Sequence, residues 1–584
     1  MTRHTHDGGL EHDHDADGHH HSAAVEAGTP AALDLSIPDT ELSPGDLGRR
    51  GFLRRAGLLG GAAAAVTVLG EATPAAASGV RANAGDRGAD KAHGNRYQWL
   101  AGDHHIHTQY SSDAQYRVVD QVQHGSAYGL DWMVITDHGS VTHAKLGVDK
   151  VNPDIVRARS VFGEQTLVFQ GLEWNIPSAE HGTVFVHPGK NEVAVLKEFE
   201  NSFDGVVKGW TASSPSNEQN ALKGLDFLAA SISSGRVQDA AFFANHPARK
   251  GLDSPHEIRG WRDRQPRVAL GMEGAPGHQA AGIKKPYGPG SGRGYYDSTP
   301  GADSFPGYPL ESYITYGGFD WMTSTVGGLW DSLLAEGKPW WITANSDAHQ
   351  VYLDDSVRGG AGTSAEFTAN GRYFDPVHGS QGPQTTFGDF WPGYYSKTHV
   401  GASKRTYAAV LDGLRAGRVY VDHGGLVGAV DVSVRNRGDN RPGSPLGSVV
   451  TPRKGTRLEL AISVELASLP NWAQFIPKLA RVDVIQGSVT GPVSDRDTFQ
   501  APNTKVVLQR DVSGASGTVQ FSYDLGPVSD PCYVRVRGTD GNRSAVGLRG
   551  PAVDPKGPAA DVKGDADPWA DLWFYTNPIW VLPR

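Results

Sequence analysis

A single cysteine, Cys532, stands in a chain of 584 residues, and that scarcity removes whole classes of chemistry. One thiol cannot form an intramolecular disulfide, nor can it build a cysteine-based zinc site. Any metal held here must be held by histidine and carboxylate. Cys532 also lies in a strand-like run far from the histidine-rich motifs, so thiol catalysis is not expected. The Gly-x-Ser-x-Gly elbow of serine hydrolases is missing as well. Excess positive charge is missing too: the formal net charge is -10, which argues against general affinity for nucleic acid or anionic membrane. No nucleic-acid-binding surface is therefore predicted.

A membrane-spanning hydrophobic run is also lacking. The apolar stretch Ala56 to Leu69 is about 14 residues long and rich in Ala and Gly, too short and too weak to span, so no transmembrane anchor is expected. It follows a twin arginine in Gly48-Arg49-Arg50-Gly51-Phe52-Leu53, and Ala75-Ala76-Ala77 offers small residues for cleavage. Residues 1–77 are thus expected to be a His-rich n-region and twin-arginine signal peptide, with the twin-arginine export machinery as partner and a secreted or extracytoplasmic destination. The tract containing His4, His6, His12, His14 and His19-His20-His21 can bind cations loosely, and it would leave with the signal. Residues 78–95 read as a flexible linker.

From Trp99 the texture becomes regular. Short continuous apolar runs alternate with helical or loop-like stretches: Trp99-Ala101, Trp132-Ile135, Leu167-Phe169, Val184-Val186, Ala241-Phe243, Val268-Leu270 and Trp340-Ile342. Runs without alternation suit strands buried on both faces, as in parallel sheets. The pattern predicts an α/β barrel, in which functional residues gather at C-terminal strand ends. Each run leads into a metal-ligand residue type: Asp103-His104-His105-Ile106-His107, Asp137-His138, Glu173, His187, His246, Glu273 and Asp347-Ala348-His349. Two histidines at i and i+2 on an extended strand point the same way, so His105 and His107 can grip one cation together. His104 faces the other way and is expected to be structural.

The ordered set His105-x-His107 with Ser112-Asp113, Ile135-Thr136-Asp137-His138, Gly171-Leu172-Glu173, Asn245-His246-Pro247 and Ser346-Asp347-Ala348-His349 resembles the polymerase and histidinol phosphatase (PHP) superfamily. The resemblance spans roughly residues 97 to 425 and implies a distorted seven-stranded (β/α) barrel. Gly271 to His278, with Asn577-Pro578-Ile579-Trp580-Val581, resembles the secreted bacterial branch that includes carbaryl hydrolase. Carried over, the pattern implies two or three divalent ions (Mn, Zn or Fe). His105, His107, Glu173 and Asp347 would hold one; Glu173 would bridge to a second, completed by His187 and His246; Asp113, His138 and His349 would hold a third. His181 lies six residues before His187, and either can face the site. Asp137 reads as a ligand or as an orienting carboxylate, and Glu273 as a ligand, a base or an orienting carboxylate.

The reaction expected is hydrolysis by metal-activated hydroxide, with Glu173, His138 and Asp113 as catalytic residues and a small-molecule or phosphoester substrate. Arg249 and His278 are candidates to bind that substrate. A carbamate or carboxylic-ester hydrolase on the same site is the alternative, and beyond enzymes a non-catalytic metal- or ligand-binding module. Aromatic, Gly-rich segments from Pro276 to Phe319 and from Tyr352 to Tyr395 follow strand ends and are expected to wall the mouth. The hydrolase domain is placed at residues 96–425. After Gly424 the pattern becomes period-two, as in Val430-Asp431-Val432-Ser433-Val434, which predicts an antiparallel β-sandwich over 426–545. A C-terminal tail, 546–584, is expected to dock on the body.

Overall fold

The computed structural model describes residues 97–296 and 299–584, which lie within one compact unit. The His-rich tract, the twin-arginine segment and the linker fall on residues 1–96, outside the described residues. No helix among the described residues is long and apolar enough to cross a membrane.

The chain is a mixed α/β protein with one large mixed sheet and smaller antiparallel sheets. Seven strands pair in sequence order: β1 (Gln98–Asp103), β2 (Trp132–Ile135), β3 (Leu167–Asn175), β4 (His181–Val186), β5 (Ala240–Ala244), β6 (Ala269–Ala275) and β7 (Trp341–Ala344). β2, β5, β6 and β7 are buried along their whole lengths, as their continuous apolar runs require. Helices such as Val118–Ala127, Val148–Phe162, Pro215–Ser233 and Pro255–Arg264 separate them. The last is set by a capping box in which the Ser254 side chain accepts from the Glu257 amide, with Pro255 at the first helical position.

Packing between β1 and β2 leaves no room for a side chain at Gly102. A Cβ there would lie 1.9 Å from Cε2 of Trp132, an indole that is fully buried and donates to the Leu100 carbonyl at 3.2 Å. Gly102→Ala is expected to cost about 1–3 kcal/mol by forcing that indole aside. The check is the midpoint of thermal unfolding, and an unchanged midpoint would show that the packing gives more freely than this.

Two departures from the sequence reading shape the site. First, β4 runs antiparallel to both β3 and β5, with Asn175 opposite His181 and Val186 opposite Ala240. Its first residue, not its last, therefore lies beside the C-terminal ends of its neighbours. Second, β1 does not pair along its length with β7. It pairs antiparallel with β10 (Ser396–Ala402), and only the residues just beyond β1 and β7 meet, through the parallel bridge Ile106–Ala348. Polar residues Lys397, Thr398 and His399 interrupt β10, so it lacks the apolar run that marks the other strands. Between β7 and β10, the short antiparallel pair β8 (Ser356–Gly359) and β9 (Phe374–His378), connected through the helix Ser364–Asn370, stands apart from the other sheets.

The C-terminal strands also differ from a free-standing sandwich. β12 (Val427–Asn436), β13 (Ser444–Pro445), β15 (Thr456–Leu466) and β18 (Thr518–Val528) form a four-stranded antiparallel sheet. The other strands join the large sheet: β11 (Val419–His423), β14 (Val449–Val450), β16 (Arg481–Ser488), β17 (Lys505–Asp511), β19 (Cys532–Thr539), β20 (Trp573–Thr576) and β21 (Ile579–Val581). β20 pairs with β11 on one side and β19 on the other, which makes the sheet continuous. The physical link is a shared core in which Val430, Val432 and Leu460 of the small sheet pack with Val482, Val536 and Phe574 of the large one. Period-two alternation identifies strands but not the sheet they enter.

Candidate metal centre

The ends of β1, β2, β3, β5 and β7 and the start of β4 converge on one carboxylate, Glu173. Its Oε1 lies 3.2 Å from Nε2 of His105, 3.1 Å from Nδ1 of His181 and 3.2 Å from Nε2 of His246. Its Oε2 lies 3.3 Å from Nε2 of His107 and 3.0 Å from Nδ1 of His138. The two oxygens thus face two separate sets of imidazoles. Asp347 Oδ1 spans the two sets, at 3.1 Å from Nε2 of both His105 and His107. Asp113 extends the second set outward, with its oxygens 3.2 Å from His138 Nε2 and 3.4 Å from His349 Nε2.

Among the described residues five groups can hold a cation, including His105–His107–Asp347, His138–Glu173–His181 and His107–Asp113–His138–His349. The donor chemistry fits a divalent metal. Buried atoms His107 Nε2, Glu173 Oε2, Asp347 Oδ1 and His246 Nδ1 have no hydrogen-bond partner, and the first three face one another. Orphaned buried polar atoms are costly, and a cation satisfies them together. Electrostatics point the same way. Burial pushes the Glu173 carboxyl up, but His138, His105 and His181 reverse this and hold it well below the usual carboxylate range. Burial likewise opposes charge on His105, yet Asp347, Glu173 and Glu273 hold its pKa well above normal. This is a site that demands positive charge at its centre.

Backbone strain marks the same residues. His246, His278 and Asp347 hold left-handed φ values of 31°, 54° and 48°. Each such conformation costs about 1–3 kcal/mol in a residue with a side chain and persists where the surroundings enforce it.

Most of the histidines and carboxylates read from sequence meet here, with one correction. His187 does not reach the cluster. It follows the far end of the antiparallel β4, where its Nδ1 approaches the Pro188 carbonyl oxygen at 2.9 Å and its ring contacts Tyr407. His181, at the other end of that strand, occupies the place instead. Glu273 is drawn to the histidines rather than to the centre. Its Oε1 pairs with His105 Nδ1 at 2.7 Å and its Oε2 accepts from the His246 amide at 2.7 Å. It thereby fixes which nitrogen of His105 faces inward. Asp137 accepts from the amide and hydroxyl of Thr108 and so holds the loop after β1. His104 is buried between Thr183 and Thr343 and stacks on Phe243, and burial lowers its pKa to about 3.

Three further residues that the sequence reading assigned no role complete the site. Asn245 donates to Glu173 Oε1 at 3.1 Å. Glu180 is buried, 3.6 Å from His246 Nδ1, and binds Arg249 at 2.6 Å and Lys250 at 2.9 Å. Asp389 pairs with His278 Nδ1 at 2.5 Å and accepts from the amides of His349 and Gln350. Asn245 was adjacent to a motif histidine, whereas the other two come from segments with no ligand spacing. A cavity of ≈ 390 Å³ opens onto the cluster and is lined by His138, His246, Arg249, His278 and His349, with Tyr295, Phe387 and Asp389 from the two aromatic segments. Both substrate-binding candidates, Arg249 and His278, therefore face the cavity.

Glu273→Gln should lower metal affinity by about 10–100-fold, because an amide NH₂ must then face either the His105 ring or the His246 amide. A chelator-competition titration measures this. Affinity equal to wild type would mean that Glu273 does not orient His105.

Residues 103–253 match the family described as PHP domain. That match and the ligand groups fit a metal-dependent hydrolase. Among solved structures, the chain is similar to a two-domain protein from Bacteroides vulgatus ATCC 8482 described as containing a predicted PHP-like metal-dependent phosphoesterase. The identity is 14% over 80% of this chain and 96% of that one, with a TM-score of 0.28. It is also similar to Endonuclease Q bound to a 27-mer duplex with an abasic lesion, at 12% identity over 32% of this chain and 46% of that one, with a TM-score of 0.20. TM-scores this low carry no inference about this chain. No curated protein matches it.

Proposed function

We propose that this chain is an exported, metal-dependent phosphoesterase acting on small phosphate esters. The observation that carries the reading is the division of Glu173: one oxygen faces His105, His181 and His246, the other His107 and His138. A carboxylate placed so can serve two cations, which an imidazole cannot do. Bound divalent cations supply Lewis acidity, making water acidic enough to attack near neutral pH and offsetting charge on a leaving oxygen.

The chain's own residues do the rest. His105 and His246 are held in orientation by Glu273. Arg249, clamped by Glu180 and facing the cavity, offers an anion a fixed guanidinium. Asp113 and His138, 3.2 Å apart at the cavity wall and more exposed than the inner ligands, are placed to pass a proton to a departing oxygen. The export part of the reading rests on Arg49-Arg50 and Ala75-Ala77 and is tested by whether Arg49→Lys/Arg50→Lys traps the protein in the cytoplasm.

The deciding experiment offers phosphomonoesters, phosphodiesters and aryl carbamates to protein loaded with Mn, Zn or Fe. Phosphate-ester turnover that a chelator removes and added metal restores is the expected result. Carbamate turnover without phosphatase activity would move the assignment to carbamate hydrolysis, and inactivity on the whole panel would leave a binding module.

A further inference from the structure

We propose that the cavity carries a leaving-group subsite for a planar, uncharged aromatic group, formed by Tyr295 and Phe387. The inference rests on the phosphoesterase reading and narrows its substrate to aryl or arylalkyl esters. Tyr295 comes from the segment after β6 and Phe387 from the segment after β7. Both are half-buried and line the cavity beside Gly388.

The Tyr295 ring is packed on two sides. Its backbone holds a left-handed φ of 56°, and its ring centre lies 4.9 Å from that of His278. On another side it abuts Gly388, where a Cβ would come within 2.1 Å of the tyrosine hydroxyl oxygen. Only glycine at 388 admits the ring in this position. A pre-set aromatic wall gains affinity because little side-chain freedom remains to be lost on binding.

Charge divides the cavity. Arg249 is its only lysine or arginine among the described residues, and it sits on the His246 side through their common neighbour Glu180. The aromatic pair sits on the His278 side. The acid there, Asp389, is already engaged by the His278 ring and by two backbone amides. An anionic head group is thus received at the metal centre and Arg249. The His278 ring beside Tyr295 already engages Asp347 Oδ2 at 2.8 Å and Asp389 Oδ1 at 2.5 Å through its two nitrogens, so a charged leaving portion finds no free ionic partner on that side. A flat apolar ring fits that wall, and the cavity volume suits a small molecule.

The test is calorimetric binding of benzylphosphonate and ethylphosphonate, which share a head group, to the manganese-loaded protein. Benzylphosphonate should bind about tenfold tighter or more, the gain expected from burying a phenyl ring. Phe387→Ala and Tyr295→Ala should each reduce that ratio to about threefold or less, while Tyr295→Phe preserves it. Equal binding of the two ligands by the wild type would overturn the subsite, as would a ratio that survives both alanine variants. Hydrolysis of glycerol 2-phosphate is measured alongside. If it proceeds while the phenyl ring gains nothing, the subsite alone falls. If neither phosphonate binds and no phosphate ester is cleaved, the phosphoesterase reading falls and the subsite with it.

Discussion

Glu173→Gln is expected to lower kcat/KM for the best phosphate ester by about a thousandfold or more, equal to roughly 4 kcal/mol of lost transition-state stabilisation. Five histidines lie within 3.3 Å of this one carboxylate, and both of its oxygens are used. Glutamine is nearly the same size, so the buried packing survives. What changes is charge and donor number: one oxygen becomes an NH₂ aimed at imidazoles or cations, and the negative charge between the two halves of the centre disappears. Bound metal should fall with activity, read by elemental analysis of the purified variant, while the unfolding midpoint of the metal-free protein moves far less. A variant within tenfold of wild-type activity would sink the bridging role, and with it the catalytic reading of the cluster.

Much of this centre was legible because metal ligation leaves short-range traces. His105 and His107 are two residues apart on an extended segment, and Asp347 and His349 repeat that spacing at the end of β7. The first pair must point together, so sequence alone could group it, whereas Asp347 holds a left-handed φ of 48° and its place beside the histidines came from the family resemblance. The apolar runs were equally plain, since strands buried on both faces cannot alternate. Less visible was anything that depends on direction or on distant pairing. β10 carries polar residues and gave no run to read, although it takes the place beside β1. Glu180 and Asp389 act through partners 69 and 111 residues away respectively, Arg249 and His278, and no local pattern encodes such contacts. The sandwich strands were recognisable, but whether a strand joins the four-stranded sheet or the large one is decided by β20, which lies in the C-terminal tail.

His181 and His187 turn the question of strand direction into a measurable one. Six residues separate them, and each stands at or just beyond one end of β4. If β4 ran parallel to its neighbours, as the regular α/β alternation suggests, His187 would reach the centre. Because it runs antiparallel, His181 is brought to within 3.1 Å of Glu173, and His187 is left near Tyr407 and Asp239. His181→Ala should therefore remove one imidazole from the set facing Glu173 Oε1 and lower activity by about a hundredfold or more. His187→Ala should stay within about threefold of wild type, because it removes only a half-buried ring packed away from the cavity. Both variants are compared by kcat/KM and by metal affinity under the same loading conditions. The reverse ranking, with His187→Ala the damaging change, would mean that β4 is threaded in the other direction. Equal and small effects would instead mean that neither histidine binds metal, leaving Glu173 Oε1 to His105 and His246 alone.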